Sequence, residues 1–119
     1  MMRVLVVDDR SDTLGFVQVG LQRAGFEVEV AQTGSQALEL QRRHAADVLI
    51  TDIFMPDMDG IEIIDRIKAG YPGTRVIAMS GGVAGMQDYL AVARKVGADA
   101  TLCKPFTTED LLNAMRAVL

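Results

Sequence analysis

Only one cysteine, Cys103, occurs in 119 residues, so no internal disulfide is available and the fold must rest on its apolar core. Its place at the end of the apolar run Ala100-Thr101-Leu102-Cys103 makes a buried, inert thiol the expectation. No apolar run approaches the roughly 18 residues of a membrane-spanning helix, which excludes that class and gives no reason to expect a membrane partner. Met1-Met2-Arg3 leads straight into a strand pattern instead of a signal-peptide core, so a cytoplasmic protein is expected. No Lys/Arg cluster offsets the formal net charge of −4, which argues against direct nucleic-acid binding. The single histidine, His44, falls near the end of a helical segment, where a cation or cap is favoured over a phosphate carrier. Linkers, low-complexity stretches and repeats beyond a β-α unit are absent as well.

What is present is a balance of 50% apolar and 24% charged residues, suited to a globular chain. At this length one domain, residues 1–119, is expected to bury roughly two-thirds of its unfolded surface. Short apolar runs alternate five times with segments of helical spacing, which implies a parallel sheet with helices on both faces. The strands are expected near 3–7, 26–30, 47–51, 75–79 and 99–103, and the helices near 12–24, 34–44, 60–69, 84–96 and 108–118. Apolar stripes support the first, third and last helices: Leu14, Val17, Leu21 and Ala24; Ile61, Ile64 and Ile67; Leu111, Leu112, Met115 and Val118. Thr33-x-x-Gln36 and Thr107-x-x-Asp110 read as capping boxes, with Phe106 and Leu111 as a staple, and Gly25, Gly70 and Gly97 stand at helix ends.

Polar residues close or follow four of the apolar runs: Asp8-Asp9, Asp52, Ser80 and Lys104-Pro105. In a parallel sheet all of them emerge at the carboxyl edge, where open α/β sheets bind ligands. Each carboxylate pair at about 4 Å costs roughly 4 kcal/mol at an effective dielectric near 20, so the group must raise at least one carboxyl pKa or take a cation. Oxygen donors with room left for water and phosphate suit Mg²⁺. Three carboxylates, one divalent ion and Lys104 sum to zero, so a phosphoryl group enters without large repulsion. Neighbouring strands lie about 4.8 Å apart, so a lysine two strands from Asp52 has the reach that a short side chain lacks. Asp52 is then the nucleophile, forming an acyl phosphate, with Ser80 and Lys104 on phosphoryl oxygens.

Asp8-Asp9, Asp52-x-x-Met55-Pro56-x-Met58-Asp59-Gly60, Ser80-Gly81 and Lys104-Pro105-Phe106 together resemble the receiver domain of two-component response regulators, over the whole chain. The resemblance implies a flavodoxin-like, doubly wound sheet of order 2-1-3-4-5 with five helices, of which flavodoxin and a chemotaxis receiver are standard examples. It implies that Asp52 accepts phosphate from a sensor histidine kinase or histidine phosphotransfer protein, and that the chain assists its own phosphorylation and dephosphorylation without being an enzyme. It further implies Mg²⁺ held by Asp9, by Asp8 largely through water, by Asp52 and by the Phe54 carbonyl, and a cis Lys104-Pro105 bond. Movement of Ser80 with the Gly81-Gly82-Val83-Ala84-Gly85 loop would reshape the face of the fourth helix, fifth strand and fifth helix.

Three positions depart from the pattern. Thr101 stands where the family carries an aromatic gate, which leaves a phosphate sink or a phosphate-independent interaction domain as the alternative. Phe54 and Gly82 flank the site with opposite effects on hydrolysis, one shielding and one opening it. Arg10 follows the acidic pair and is free to meet the site or a partner. Asp57, Asp59 and Gly60 read as turn and cap residues of the third helix, and Val83 and Met86 as candidate partner contacts. A dehalogenase-type phosphatase would need a second acid two residues after Asp52, where Phe54 stands. A flavin carrier would need a phosphate loop in place of Asp8-Asp9-Arg10-Ser11-Asp12.

Overall fold

A computed structural model describes residues 2–81 and 86–119. Five strands and five helices alternate: β1 (Arg3–Val7), α1 (Ser11–Arg23), β2 (Glu27–Ala31), α2 (Gly34–Arg43), β3 (Val48–Asp52), α3 (Gly60–Gly70), β4 (Arg75–Gly81), α4 (Met86–Val96), β5 (Ala100–Lys104) and α5 (Thr108–Val118). The strands form one parallel sheet of order β2-β1-β3-β4-β5, as expected. Chain direction runs outward from β1 in both directions, and this reversal opens a crevice beside β1 and β3 at their carboxyl ends.

Side-chain alternation along each strand feeds two cores. Leu5, Val7, Leu49, Val76 and Ala78 face α2, α3 and α4, meeting Ala37, Ile63, Ile64, Ile67 and Ala93. Val4, Val6, Val48, Ile50, Ile77, Met79 and Leu102 face α1 and α5, meeting Leu14, Val17, Leu21, Leu111 and Met115. The central strand β3 is buried at every residue, whereas β2 and β5 lie at the edges and are only partly covered.

Several expectations shift by a residue or a face. Strands β2, β3 and β5 begin and end one residue later than expected, and β4 runs on to Gly81, so Asp52, Ser80 and Lys104 belong to the strands themselves. In α3 the buried stripe is Ile63, Ile64 and Ile67, with Ile61 at its margin; Ala24 caps α1 in the open. Cys103 is exposed, contrary to expectation. Leu102 takes the inward place beside α5, and alternation turns Cys103 to the other face of an edge strand, where α4 covers little of β5. The expected start of α4 at 84 lies outside the described residues, as do Gly82–Gly85 and the side chain of Met86.

Caps stop and start the helices largely as read. Thr107 and Asp110 form a reciprocal capping box on α5, and Phe106 and Leu111 join one apolar cluster beneath it. Thr33 accepts from Gln36 N at 3.1 Å, but the Gln36 side chain reaches Gln32 N instead of completing a box. Asp59 caps α3 through Glu62 N at 2.9 Å. Asp57, expected to serve α3 as well, instead accepts from Gly34 N and Ser35 N at 3.1 and 3.2 Å, so it caps α2. His44 ends α2, its N–H donating to Leu40 O.

Candidate functional site

The last residues of β1, β3, β4 and β5 converge because the strands are parallel and in register, with Asp52 opposite Met79, Ser80 opposite Cys103 and Gly81 opposite Lys104. Asp8, one residue past β1, is fully buried; Asp52 is 6% exposed and Ser80 0%. Asp9 remains exposed at the mouth. Carboxylate oxygens of Asp8, Asp9 and Asp52 lie within 4.8 Å of one another, a span that one cation can bridge.

Lys104 crosses the rim from β5 and places its Nζ 3.5 Å from Asp52 Oδ1 and 2.6 Å from Asp8 Oδ2. The longer reach was anticipated only as far as Asp52; the firmer contact is to Asp8, one strand further on. Asp8 is also held locally, since its Oδ1 accepts from Arg10 N at 2.9 Å and so shapes the turn into α1. It therefore fills both the turn role and the site role that its sequence position allowed. The Arg10 guanidinium pairs with Asp12 at 3.1 Å and not with the acidic cluster.

Burial pushes the Asp52 carboxyl up to about 6, with the ammonium of Lys104 opposing the rise and Asp8 adding to it. One lysine does not compensate for the buried negative charge. Ser80 Oγ is buried with no hydrogen-bond partner among the described residues, although buried hydroxyls are normally satisfied. The donor set, the surplus negative charge and this orphaned hydroxyl fit a divalent cation together with an oxyanion.

Sequence reading missed the device that shapes the loop after Asp52. Gly60 N donates to Ile53 O at 2.7 Å, and a Cβ on Gly60 would stand 2.2 Å from the Asp52 carbonyl oxygen. Only glycine permits that approach, and the Asp59-Gly60 pair in the motif carried the signal. Ile53 N donates to Met79 O at 3.0 Å, and Thr51 Oγ1 to Asp52 O at 2.9 Å, so the backbone around Asp52 is held from three sides. Phe54 emerges directly beyond, its side chain 40% exposed. The Lys104-Pro105 bond is cis, as expected. Thr101, at the position of the absent aromatic, is half-buried and accepts from Arg94 Nη2 at 2.9 Å.

Fold and rim define a doubly wound α/β domain with an acidic carboxyl edge able to hold a metal ion, and residues 4–116 match the response regulator receiver domain family. The chain belongs to that family. It is 35% identical over 118 residues to the chemotaxis protein CheY of Bacillus subtilis, covering 98% of this chain and 97% of that one. It is 36% identical over 117 residues to the transcriptional regulatory protein PrrA of Mycobacterium tuberculosis, covering 98% of this chain and 49% of PrrA. The chain thus spans about half the length of PrrA and similar regulators. The structure of chemotaxis response regulator CheY4 of Vibrio cholerae superposes with a TM-score of 0.91 at 34% identity, covering 100% and 99% of the two chains.

Proposed function

We propose that the chain is a phosphoacceptor that takes a phosphoryl group on Asp52 from a phosphohistidine of a sensor kinase or phosphotransfer protein. The gathering of three carboxylates, two of them paired with Lys104, beside a buried serine hydroxyl without a partner among the described residues carries this reading. Asp9, Asp8, Asp52 and the Phe54 carbonyl would hold Mg²⁺, which supplies positive charge to the phosphoryl oxygens when bound.

The protein's own contribution is position and charge. An Asp52 carboxylate oxygen forms the new bond to phosphorus as the donor's P–N bond breaks and its electron pair returns to the imidazole. Lys104 turns from Asp8 and Asp52 toward a phosphoryl oxygen, and Ser80 Oγ donates to another, which satisfies the orphaned hydroxyl. Release reverses the charge change: water attacks phosphorus, and the Asp52 carboxylate and inorganic phosphate depart.

Output passes through the face of α4, β5 and α5. The hydrogen bond from Arg94 to Thr101 ties two elements of that face where an aromatic gate would otherwise swing. The test is incubation with a small acyl phosphate and Mg²⁺, then intact mass and alkali lability. A single phosphate, lost with chelator and in Asp52→Asn, is expected; undiminished labelling of that variant would overturn the assignment.

A further inference from the structure

Phe54 and Tyr89 are 40% and 46% exposed, yet their rings meet edge to face, with centroids 4.7 Å apart and planes at 76°. That geometry matches the favourable quadrupole arrangement of aromatic pairs, so each exposed ring is held in place by the other. One ring belongs to the loop that leaves Asp52 and the other to α4, the helix after Ser80.

Both ends of this contact are anchored. On the acceptor side, Ile53 is fixed by Met79 O and by Gly60 N, so Phe54 is the first residue past a rigid point. On the helix side, Ala93 is buried in the core and Leu90 and Val96 pack against it, while Arg94 reaches Thr101 on β5. One helix therefore touches the loop leaving Asp52 through Tyr89 and the vacant gate position through Arg94.

We propose that Tyr89 is a positioning residue for Asp52, acting through Phe54: it holds that ring beside the acceptor, limits water's access to the acyl phosphate, and couples the seating of α4 to the phosphoryl state. The inference rests on the phosphoacceptor reading. It supplies a route from acceptor to α4 that needs no aromatic at Thr101. Coupling of this kind is reciprocal, so phosphorylation must also change the surroundings of Tyr89.

The test follows loss of phosphate from Asp52 in Tyr89→Ala, Tyr89→Phe, Phe54→Ala and the double alanine variant. Tyr89→Ala is expected to shorten the half-life roughly two- to tenfold, the range set by one aromatic pair, and Tyr89→Phe to preserve it. Phe54→Ala is expected to match Tyr89→Ala, and the double variant to add nothing further. For the two Tyr89 variants, melting midpoints and Mg²⁺ affinity are expected to stay near those of the parent, which separates positioning from general loosening. A second readout uses the two tyrosines and the absence of tryptophan: Tyr71→Phe leaves Tyr89 as the only emitter above phenylalanine, and its emission is expected to change on phosphorylation. An unchanged half-life in Tyr89→Ala, multiplicative losses in the double variant, or emission indifferent to phosphorylation would overturn the proposal while leaving Asp52 as acceptor. A parent that takes up no phosphate would overturn both.

Discussion

The two ends of the sheet treat polar side chains in opposite ways. At the amino edge, Gln41, Thr74 and the Ala46 backbone close a buried ring of hydrogen bonds at 2.7 to 3.0 Å. Beside it, Asp99 accepts from Lys68 Nζ and Val76 N, both at 2.8 Å. At the carboxyl edge, three carboxylates gather around a single lysine that pairs with two of them, and a buried serine hydroxyl has no partner among the described residues. The first end is finished as a piece of structure, and the second is complete only with further charge and a further acceptor. Asp99 and Asp52 show the contrast in one residue type. Burial pushes Asp99 up, but the hydrogen bonds from Lys68 and Val76 outweigh it and hold the carboxyl below its ordinary range. Burial of Asp52 outweighs Lys104 and raises its carboxyl to about 6.

The largest way to break this contrast is Gly60→Ala, which drives a methyl into the Asp52 carbonyl and is expected to cost about 3 kcal/mol or more in urea unfolding. A loss under 1 kcal/mol would mean that the loop is not rigid.

Next comes Asp52→Asn. The folded pKa is raised, so the cost of ionising Asp52 begins above the unfolded value near 4 and is full above about 6. Without metal the variant should therefore be more stable than the parent by roughly 2 to 3 kcal/mol at pH 7, with the gain vanishing near pH 4. Asp99→Asn should slope the other way. Its lowered pKa contributes stability above the unfolded value, and that is lost as the pH falls through the folded one, so the parent's advantage over Asp99→Asn shrinks in acid. Parallel slopes in paired pH-dependent melts would erase the distinction between the two ends.

Gln41→Leu leaves Ala46 N without its acceptor and Thr74 Oγ1 without its donor, at a cost of about 2 kcal/mol with phosphorylation unaltered. Thr107→Ala, a cap on the functional side with no charge role, should cost only about 1 kcal/mol by thermal melting. A larger loss there would mean that capping, not charge, governs the rim.

Much of this was legible in the chain. Apolar period, caps and the Asp8-Asp9, Asp52, Ser80 and Lys104 spacing are local signals, and parallel strands necessarily gather their last residues on one edge. Less was legible where a side chain's partner lies far along the chain. Asp57 looked like a cap for the next helix but serves α2, because the loop folds back over Gly34. Cys103 looked buried because its run is apolar, yet an edge strand has one poorly covered face. The pairs Phe54 with Tyr89 and Arg94 with Thr101 join residues whose neighbours in sequence announce nothing.

By itself the amino-acid order determined the elements, their alternation and the chemistry of the rim, because periodicity and capping act over a few residues. Tertiary structure alone decided how thinly the edge strands are covered, how far Lys104 reaches, and which charges went uncompensated. Burial and long-range pairing are properties of the packed sheet and not of any segment.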